Sequence, residues 1–187
     1  KKCKGDPKIV ILTPGHLNSA YYEHSFLADL MGVELVQGSD LYVNDNITYM
    51  KTTEGPKKID IIYRRIDDEY LDPLYYKNDS LLGVPGVINS YKTGHVNICS
   101  APGAGLADDK AVYTFMPDII KFYLGEEPIL KNIKTWRCYD VKESKYVLNN
   151  IEKLVVKEVH GSGGYGMLIG SKASKKELNI FKNKINK

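Results

Sequence analysis

A glycine-dense hexapeptide between two apolar runs constrains the fold of this chain more than any other feature. Residues 154–170 read LVVKEVHGSGGYGMLIG, in which a strand-forming run carrying Lys157 precedes four glycines in residues 161–166 and a second apolar run. Glycine adopts positive φ freely and lets backbone N–H groups approach a bound anion. A lysine inside an apolar run is costly to bury unless an anion meets it. The segment therefore predicts a phosphate-binding hairpin, with a hairpin turn that binds nothing as the alternative.

The order of residues around the glycines separates this segment from three known glycine loops. A dinucleotide-binding loop opens into a helix, whereas residues 167–169 followed by Gly170 predict a short strand. A Walker A loop places Lys-Ser or Lys-Thr directly after its last glycine, and no such pair follows Gly166. A protein kinase carries its lysine after the loop, whereas Lys157 precedes it. These differences argue against a dinucleotide oxidoreductase and favour a strand lysine with a glycine flap behind it.

Lys110 is a second candidate for binding phosphate. It falls in the first turn of a helix predicted to begin near Asp108 or Asp109, both of which are good N-cap residues. The helix dipole disfavours a cation in the first turn unless an anion lies nearby. The alternative is a solvated lysine beside Asp109.

Residues 1–127 predict an open α/β domain with a mostly parallel sheet. The strand KIVILT, a helix capped by Asn18 or Ser19 and the strand VELV form a β-α-β start. The apolar side chains at helical spacing in this helix are Tyr22, Phe26 and Leu30.

The rest of this domain combines an insert with further α/β elements. Residues 41–63 predict a hairpin-rich insert that leads into a buried strand, with turns at residues 44–46 and 54–56. A helix over residues 81–93, the strand HVNIC and the helix after Asp109 complete the predicted domain.

Residues 128–187 predict a small α+β lid. The helix ESKYVLNNIEK, the strands LVVKEV and MLIG and the helix SKKELNIFKNKI make up this part. Residues 1–130 hold 13 Lys and Arg against 18 Asp and Glu, whereas residues 131–187 hold 13 against 5. The basic end carries the glycine flap, which favours an anionic ligand. Lysines without interleaved aromatic side chains argue against single-stranded nucleic acid as the partner.

Polar side chains gather at the carboxyl edge of the predicted parallel sheet, where α/β proteins bind ligands. Three loops meet there, and their polar or glycine-turn residues are Thr13, Pro14, Gly15, His16, Asn18 and Ser19 in the first, Arg64, Arg65, Asp67 and Asp68 in the second, and Gly103 with Gly105 in the third. A guanidinium binds a carboxylate through two hydrogen bonds, so Arg64 or Arg65 is predicted to orient an acyl substrate. An internal ion pair with Asp67 or Asp68 is the alternative.

The first helix offers further polar candidates. Glu23 and His24 are adjacent, so on a helix their side chains point about 100° apart and do not form one catalytic pair. His24 is a candidate acid or base, with a structural histidine as the alternative. Asn18 is a capping residue, with substrate contact as a second role.

Several long motifs in order resemble the circularly permuted ATP-grasp ligases related to glutathionylspermidine synthase. The matching blocks are LTPGHLNSAYYEH, IDIIYRRIDDEYLDP, DSLLGVPG, LADDK, VVKEV and HGSGGYGM, and they span nearly the whole chain. The resemblance implies a pre-ATP-grasp-like α/β domain followed by an ATP-grasp lid. It also implies a ligase that activates a carboxylate as an acyl phosphate with ATP and then joins it to an amine.

The resemblance implies roles for particular residues. Lys110 and Lys157 correspond to the two nucleotide lysines, with Arg64, Arg65 and Lys157 in catalysis. The predicted cofactor-binding flap comprises His160, Gly161, Ser162, Gly163, Gly164 and Gly166. The predicted substrate-binding residues are Asn18, Ser19, Glu23, His24, Arg65 and Asp67.

The resemblance also implies Mg²⁺, but the chain offers few ligands for it after the flap. Glu177 is the single acid in residues 171–187, so the metal ligands are expected outside residues 1–187. We therefore expect a middle fragment of a longer polypeptide that binds ATP and a small carboxylate, amine or peptide substrate. A non-catalytic module that binds a nucleotide or another polyanion is the alternative.

Composition narrows the setting of the protein. The three cysteines are widely separated and imply neither a disulfide framework nor a metal-ligand pair, which favours the cytoplasm. No apolar run approaches the roughly 20 residues that span a bilayer, so no membrane partner is expected.

Overall fold

The computed structural model describes residues 5–161 and 164–186, and the chain forms two compact units. One unit extends to Gly105 and the other begins at Leu106. The domain boundary predicted from the sequence, between residues 127 and 128, stays a prediction.

The first unit contains a parallel sheet with helices and a small antiparallel sheet. Its helices and strands are β1 (Ile9–Leu12), α1 (Tyr21–Met31), β2 (Glu34–Val36), β3 (Leu41–Asn44), β4 (Ile47–Met50), β5 (Lys57–Lys58), β6 (Ile61–Arg64), α2 (Asp68–Leu71), α3 (Val87–Lys92) and β7 (Asn97–Cys99). The parallel sheet has the order β2-β1-β6-β7, which confirms the predicted mixed α/β fold with a mostly parallel sheet.

The parallel sheet is the centre of the larger hydrophobic core. Val10 and Leu12 of β1 and Ile62 of β6 are fully enclosed, because strands of a parallel sheet are covered on both faces. Leu12 pairs in register with Val36 and with Arg64. The central strands therefore end level with one another, and the loops that follow them leave the same edge.

The predicted insert is the antiparallel sheet of β3, β4 and β5. Asp45 and Asn46 both have positive φ between the paired residues Asn44 and Ile47, as a two-residue hairpin turn requires. Gly55, with φ of 106°, lies in the next turn. The predicted hairpin-rich insert and both of its turns are thus confirmed.

The helix predicted over residues 81–93 is shorter, because it begins only at Val87. Gly86 has φ of 83°, which is outside the helical region, and it follows a proline. Gly83 lies so close to Leu71 that an added Cβ would sit 2.4 Å from the Leu71 carbonyl oxygen. The segment before Val87 therefore forms bends and a turn that pack against the end of α2.

The carboxylate of Asp72 holds this segment in place. Asp72 is completely buried, and it accepts hydrogen bonds from the backbone N–H groups of Leu74, Gly86 and Ile88 at 2.9, 3.1 and 3.0 Å. A buried carboxylate is stable where such donors replace its hydration. One side chain thereby joins the end of α2 to the first turn of α3.

The second unit is a small α+β arrangement. Its helices and strands are α4 (Lys110–Tyr113), α5 (Met116–Leu124), α6 (Val141–Asn150), β8 (Val155–Lys157), β9 (Met167–Ile169) and α7 (Lys175–Ile185). Asp109 caps α4 by accepting from Ala111 N at 2.7 Å, and Ser174 with Glu177 forms a capping box at the start of α7. The core of this unit is small, with Ile151, Leu168 and Leu178 at its centre.

In the part of the chain that the structure describes, no helix is long and apolar enough to cross a membrane.

The Asp72 contacts predict a large loss of stability from a nearly isosteric change. Asp72→Asn replaces one acceptor oxygen with an N–H donor that faces backbone donors, so we expect the free energy of unfolding to fall by about 2–4 kcal/mol. Urea denaturation measures this change. Asp79→Asn on the exposed surface is the matched control and should change stability by less than about 0.5 kcal/mol. Equal stability of the two variants would contradict the anchoring role of Asp72.

Candidate functional site

The hairpin of β8 and β9 exposes one face that combines apolar side chains with a lysine. Val155 pairs with Ile169 and Lys157 pairs with Met167, so these four side chains share a face. All four are exposed, whereas Leu168 on the opposite face belongs to the core of the second unit. The side chain of Lys157 has no hydrogen bond or ion pair among the described residues.

The glycine segment joins the two strands of this hairpin. Gly161, Gly164 and Gly166 have φ of 101°, 79° and 63°, which non-glycine residues rarely adopt. A Cβ added at Gly166 would lie 2.4 Å from Oε2 of Glu158, so the Glu158 side chain would have to move to admit it. His160 is exposed. The predicted flap residues Ser162 and Gly163 lie outside the described residues.

Lys110 lies at the start of this glycine segment, although 51 positions separate it from Gly161. Its Nζ donates to the carbonyl oxygen of Gly161 at 2.7 Å and to that of Val159 at 3.4 Å. Its backbone N–H also donates to Val159 O. The structure therefore brings one predicted nucleotide lysine against the flap, and the other, Lys157, lies on the strand that enters it.

The carboxyl edge of the parallel sheet brings a second group of predicted residues together. Leu12 and Arg64 are register partners, and Arg65 N donates to Leu12 O at 2.8 Å. Thr13 and Arg65 consequently leave adjacent strands side by side. Tyr63 pairs with Cys99, so the loop after β7 begins at the same edge.

The side chain of Arg64 is held at this edge by contacts with other residues of the protein. Its Nε donates to Ser100 O at 2.6 Å, its Nη2 to Ala101 O at 3.2 Å and its Nη1 to Ile66 O at 2.8 Å. Its Nη2 also lies 2.7 Å from Oδ1 of Asp68, in an ion pair that lacks hydrogen-bond geometry, and the side chain is 8% exposed. Arg64 therefore forms the internal ion pair that was the alternative to its predicted role in orienting an acyl substrate.

Asp68 fills the glycine turn that follows β7. Its Oδ2 accepts from Gly103 N at 3.1 Å, and a Cβ added at Gly105 would lie 3.3 Å from the same oxygen. A carboxylate of the protein itself therefore meets the Gly103 N–H that the sequence offered to a ligand. Sequence reasoning did not place Asp68 among the site residues, although its spacing of four from Arg64 is that of a helical ion pair.

Arg65 remains open to a ligand. Its Nη2 lies 3.5 Å from Oε2 of Glu23, a weak contact in which Glu23 is two-thirds exposed. Its Nε is shielded from solvent and has no hydrogen-bond partner. Of the two adjacent arginines, Arg65 is the less engaged, with one side-chain hydrogen bond at 3.5 Å against three for Arg64.

The remaining predicted substrate residues lie on loops at this edge or on α1. Asn18 Oδ1 accepts from Ala20 N at 2.9 Å, and α1 begins at Tyr21 with Ala20 as its N-cap, so the predicted cap at Asn18 or Ser19 is wrong by one or two residues. Ser19 is exposed, and Asp67 is exposed at the start of α2 without a side-chain capping bond. Among the described residues, the side chains of these three residues make no other hydrogen bond or ion pair.

His24 is buried and bonded to a residue that the predicted site did not include. Its Nδ1 lies 2.8 Å from Oγ1 of Thr13, and both residues are at most 2% exposed. Burial lowers the pKa of His24, the charge of Arg65 lowers it further, and Glu23 raises it. The sequence places Thr13 at this edge, directly after the first strand, but its pairing with a residue eleven positions away had no sequence signal.

A metal ion would need several ligand side chains close together. Among residues 5–161 and 164–186, no group of three or more His, Cys, Asp or Glu side chains is arranged to hold a metal ion.

Comparison with known proteins identifies the family of this chain. A family model described as a circularly permuted ATP-grasp matches residues 1–187. The chain belongs to the circularly permuted ATP-grasp family. This confirms the coarser part of the sequence resemblance, whereas the closer likeness to glutathionylspermidine synthase stays a prediction.

Relatives of this ATP-grasp chain are longer than the chain itself. An uncharacterized protein of Mycobacterium tuberculosis is 53% identical over 182 residues, which cover 97% of this chain and 33% of the relative. An uncharacterized protein of Synechocystis is 50% identical, with 96% and 37% covered. A Frankia alni protein named "Putative glutamate--cysteine ligase 2-3" is 38% identical, with 97% and 21% covered. The chain thus spans about a third or less of these relatives.

The ATP-grasp family generally uses ATP and Mg²⁺, and the described residues fit the two differently. A lysine without a partner on an exposed, partly apolar face, next to glycines with positive φ, fits a nucleotide. The described residues do not fit Mg²⁺, because they offer no cluster of ligands.

The same substitution at the two arginines is expected to lower stability by different amounts. Arg64→Lys removes the guanidinium fork from the carbonyl groups of the loop after β7, so we expect a loss of about 2–4 kcal/mol in the free energy of unfolding. Arg65→Lys removes one weak, exposed contact and should cost less than about 1 kcal/mol. Urea denaturation of both variants measures the difference. A larger loss for Arg65→Lys would contradict these assignments.

Proposed function

We propose that residues 1–187 provide an acyl-substrate site and the nucleotide lid of an ATP-dependent carboxylate–amine ligase. The observation that carries this proposal is the exposed face of the β8–β9 hairpin, where Lys157 has no partner among the described residues and lies beside glycines of positive φ. Membership of the ATP-grasp family supports the same function.

The hairpin face suits both chemical parts of a nucleotide, its base and its phosphates. Val155 and Ile169 form an apolar cross-strand pair, which suits the planar base, and Lys157, two register positions along on the same face, suits the polyphosphate. The glycines at the end of the strands expose backbone N–H groups, which bind phosphate oxygens. One short hairpin therefore offers contacts to base and phosphates in the order in which a nucleotide carries them.

Lys110 supplies a second positive charge to this lid. Its ammonium donates to two carbonyl groups at the start of the flap, Val159 O and Gly161 O, and these are neutral acceptors. A phosphate oxygen is a stronger acceptor because it is charged. We propose that Lys110 exchanges one of these carbonyl groups for a phosphate oxygen when a nucleotide binds.

The proposed reaction has two steps. A carboxylate oxygen of the acyl substrate attacks the γ-phosphorus of ATP, and the bond from this phosphorus to the β–γ bridging oxygen breaks, which yields an acyl phosphate and ADP. The amine nitrogen then attacks the acyl carbon, the C–N bond forms, inorganic phosphate leaves and the nitrogen loses a proton. Lys110 and Lys157 stabilise charge on the transferring phosphoryl oxygens, and Arg65 orients the carboxylate.

The name of one relative supports a proposal on the substrates. The Frankia alni relative carries the name of a glutamate–cysteine ligase, whose two substrates are amino acids. The matching upstream blocks resemble those of glutathionylspermidine synthase, which favours a peptide-like acyl substrate. We therefore propose an amino-acid or peptide carboxylate, a pre-ATP-grasp-like role for the first unit, and Mg²⁺ ligands elsewhere in the natural polypeptide.

Substitution of Lys157 tests the nucleotide assignment. Lys157→Met keeps the aliphatic part of the side chain and removes the charge, so we expect ATP affinity to fall about tenfold or more. Lys153→Met, at an exposed lysine just before β8, is the matched control and should leave affinity within about twofold of wild type. Isothermal titration with ATP measures both variants.

Two results of this titration would contradict the proposal. Equal ATP affinity in Lys157→Met and wild type would remove the nucleotide assignment. Equal losses in the Lys157 and Lys153 variants, with competition by other polyanions, would favour a non-catalytic polyanion-binding module instead.

A further inference from the structure

Thr13, His24 and Gly15 form a hydrogen-bonded chain at the carboxyl edge of the parallel sheet. Gly15 N donates to Thr13 Oγ1 at 3.2 Å, and the same oxygen lies 2.8 Å from His24 Nδ1. Gly15 has φ of 106°, and an added Cβ would lie 2.8 Å from Oε1 of Gln37. The loop after β1 is therefore fixed from two sides.

Counting donors and acceptors identifies the tautomer of His24. The Thr13 hydroxyl accepts from Gly15 N, and its own proton has no acceptor among the described residues other than His24 Nδ1. If Nδ1 carried the proton instead, the buried hydroxyl proton would be left without an acceptor, which costs free energy. Nδ1 is therefore the acceptor, and the proton of the neutral ring lies on Nε2.

Two donors at this edge then lack an acceptor within the described residues. His24 Nε2–H has none, and His24 is 2% exposed. Arg65 Nε–H is shielded and has none either. Arg65 N donates to Leu12 O, directly before Thr13, so Arg65 and the Thr13–His24 pair lie at the same edge of the sheet. A shielded guanidinium donor and a histidine N–H that both lack a protein acceptor suit a ligand that brings acceptor oxygens.

We propose that His24 and Arg65 form the receptor for the acyl carboxylate, with Thr13 as the positioning residue that keeps the His24 proton on Nε2. This inference rests on the proposed ligase function and assigns His24 a donor role in it. One carboxylate oxygen accepts from Nε2–H and the guanidinium of Arg65 binds the group as a cation. His24 is then a donor and not the acid–base catalyst, because Nδ1 is already occupied by Thr13.

The tautomer is measurable without any ligand. Long-range ¹H–¹⁵N spectra of the imidazole rings should show His24 with protonated Nε2 and unprotonated Nδ1 at pH 7. The ring should stay neutral as pH falls through the usual value of about 6.5, because burial and Arg65 lower its pKa against the opposing charge of Glu23. Protonation on Nδ1, or titration of His24 above about pH 6.5, would overturn the proposal.

Acetate serves as the probe of the carboxylate receptor. Titration with sodium acetate should shift the His24 Nε2 and Arg65 Nε resonances together and saturably, whereas sodium chloride at equal ionic strength should not. Arg65→Met should weaken acetate binding about tenfold or more. Parallel, unsaturable shifts with both salts would overturn the receptor.

Thr13 variants separate positioning from folding. Thr13→Ser keeps the hydroxyl and should retain the tautomer and the acetate affinity within about twofold. Thr13→Val removes the hydroxyl at similar volume and should populate the other tautomer and weaken acetate binding about fivefold. If Thr13→Val does not fold, the wild-type spectra and Thr13→Ser still decide the question. Loss of acetate binding with intact Lys157-dependent ATP binding would remove this receptor but leave the nucleotide lid in place.

Discussion

The guanidinium of Arg64 is the interaction on which the carboxyl edge of the parallel sheet depends. A buried arginine is costly unless its donors and its charge are both matched. Three backbone carbonyl groups meet its N–H groups, and Asp68 balances its charge. Two of those carbonyls, on Ser100 and Ala101, belong to the loop after β7, so the end of β6 and this loop form one rigid edge. Because three carbonyl groups and Asp68 hold Arg64 at this edge, the neighbouring Arg65, with one weak ion pair, is the guanidinium that we propose meets a ligand.

The sequence predicted the strands well because their apolar runs are buried on both faces of the sheet. The hairpin of β3 and β4 was equally clear, since Asp45 and Asn46 suit positive φ. The buried face of α1 was not predictable in this way. Its apolar stripe is largely exposed, with Tyr22 76% exposed and stacked on Phe26, whereas the buried positions are His24 and Ala28. Two stripes at the same spacing of four run along this helix, and only tertiary packing decides between them.

The candidate site was predictable in its residue types and not in its partnerships. Lysine before a glycine segment is a local pattern, so Lys157 and the flap could be proposed from a single stretch of sequence. The choice between Arg64 and Arg65 required the positions of Ser100 and Ala101, which lie 36 and 37 residues away from Arg64. Long-range contacts of this kind depend on strand order and register, which periodicity does not encode.

The contacts of Lys110 show why a site of this kind can be stable before a ligand arrives. The carbonyl groups of Val159 and Gly161 meet two of the three N–H donors of its ammonium but do not neutralise its charge. A hydrogen bond to a charged phosphate oxygen adds the attraction between opposite charges, which a neutral carbonyl group does not supply. In the proposed lid, an anion gives the Lys110 ammonium a charged acceptor. The carbonyl group that Lys110 releases lies on an exposed segment, so water replaces the lysine as its hydrogen-bond donor. Lys157 differs from Lys110 in this respect, because its side chain has no hydrogen bond to a carbonyl group among the described residues.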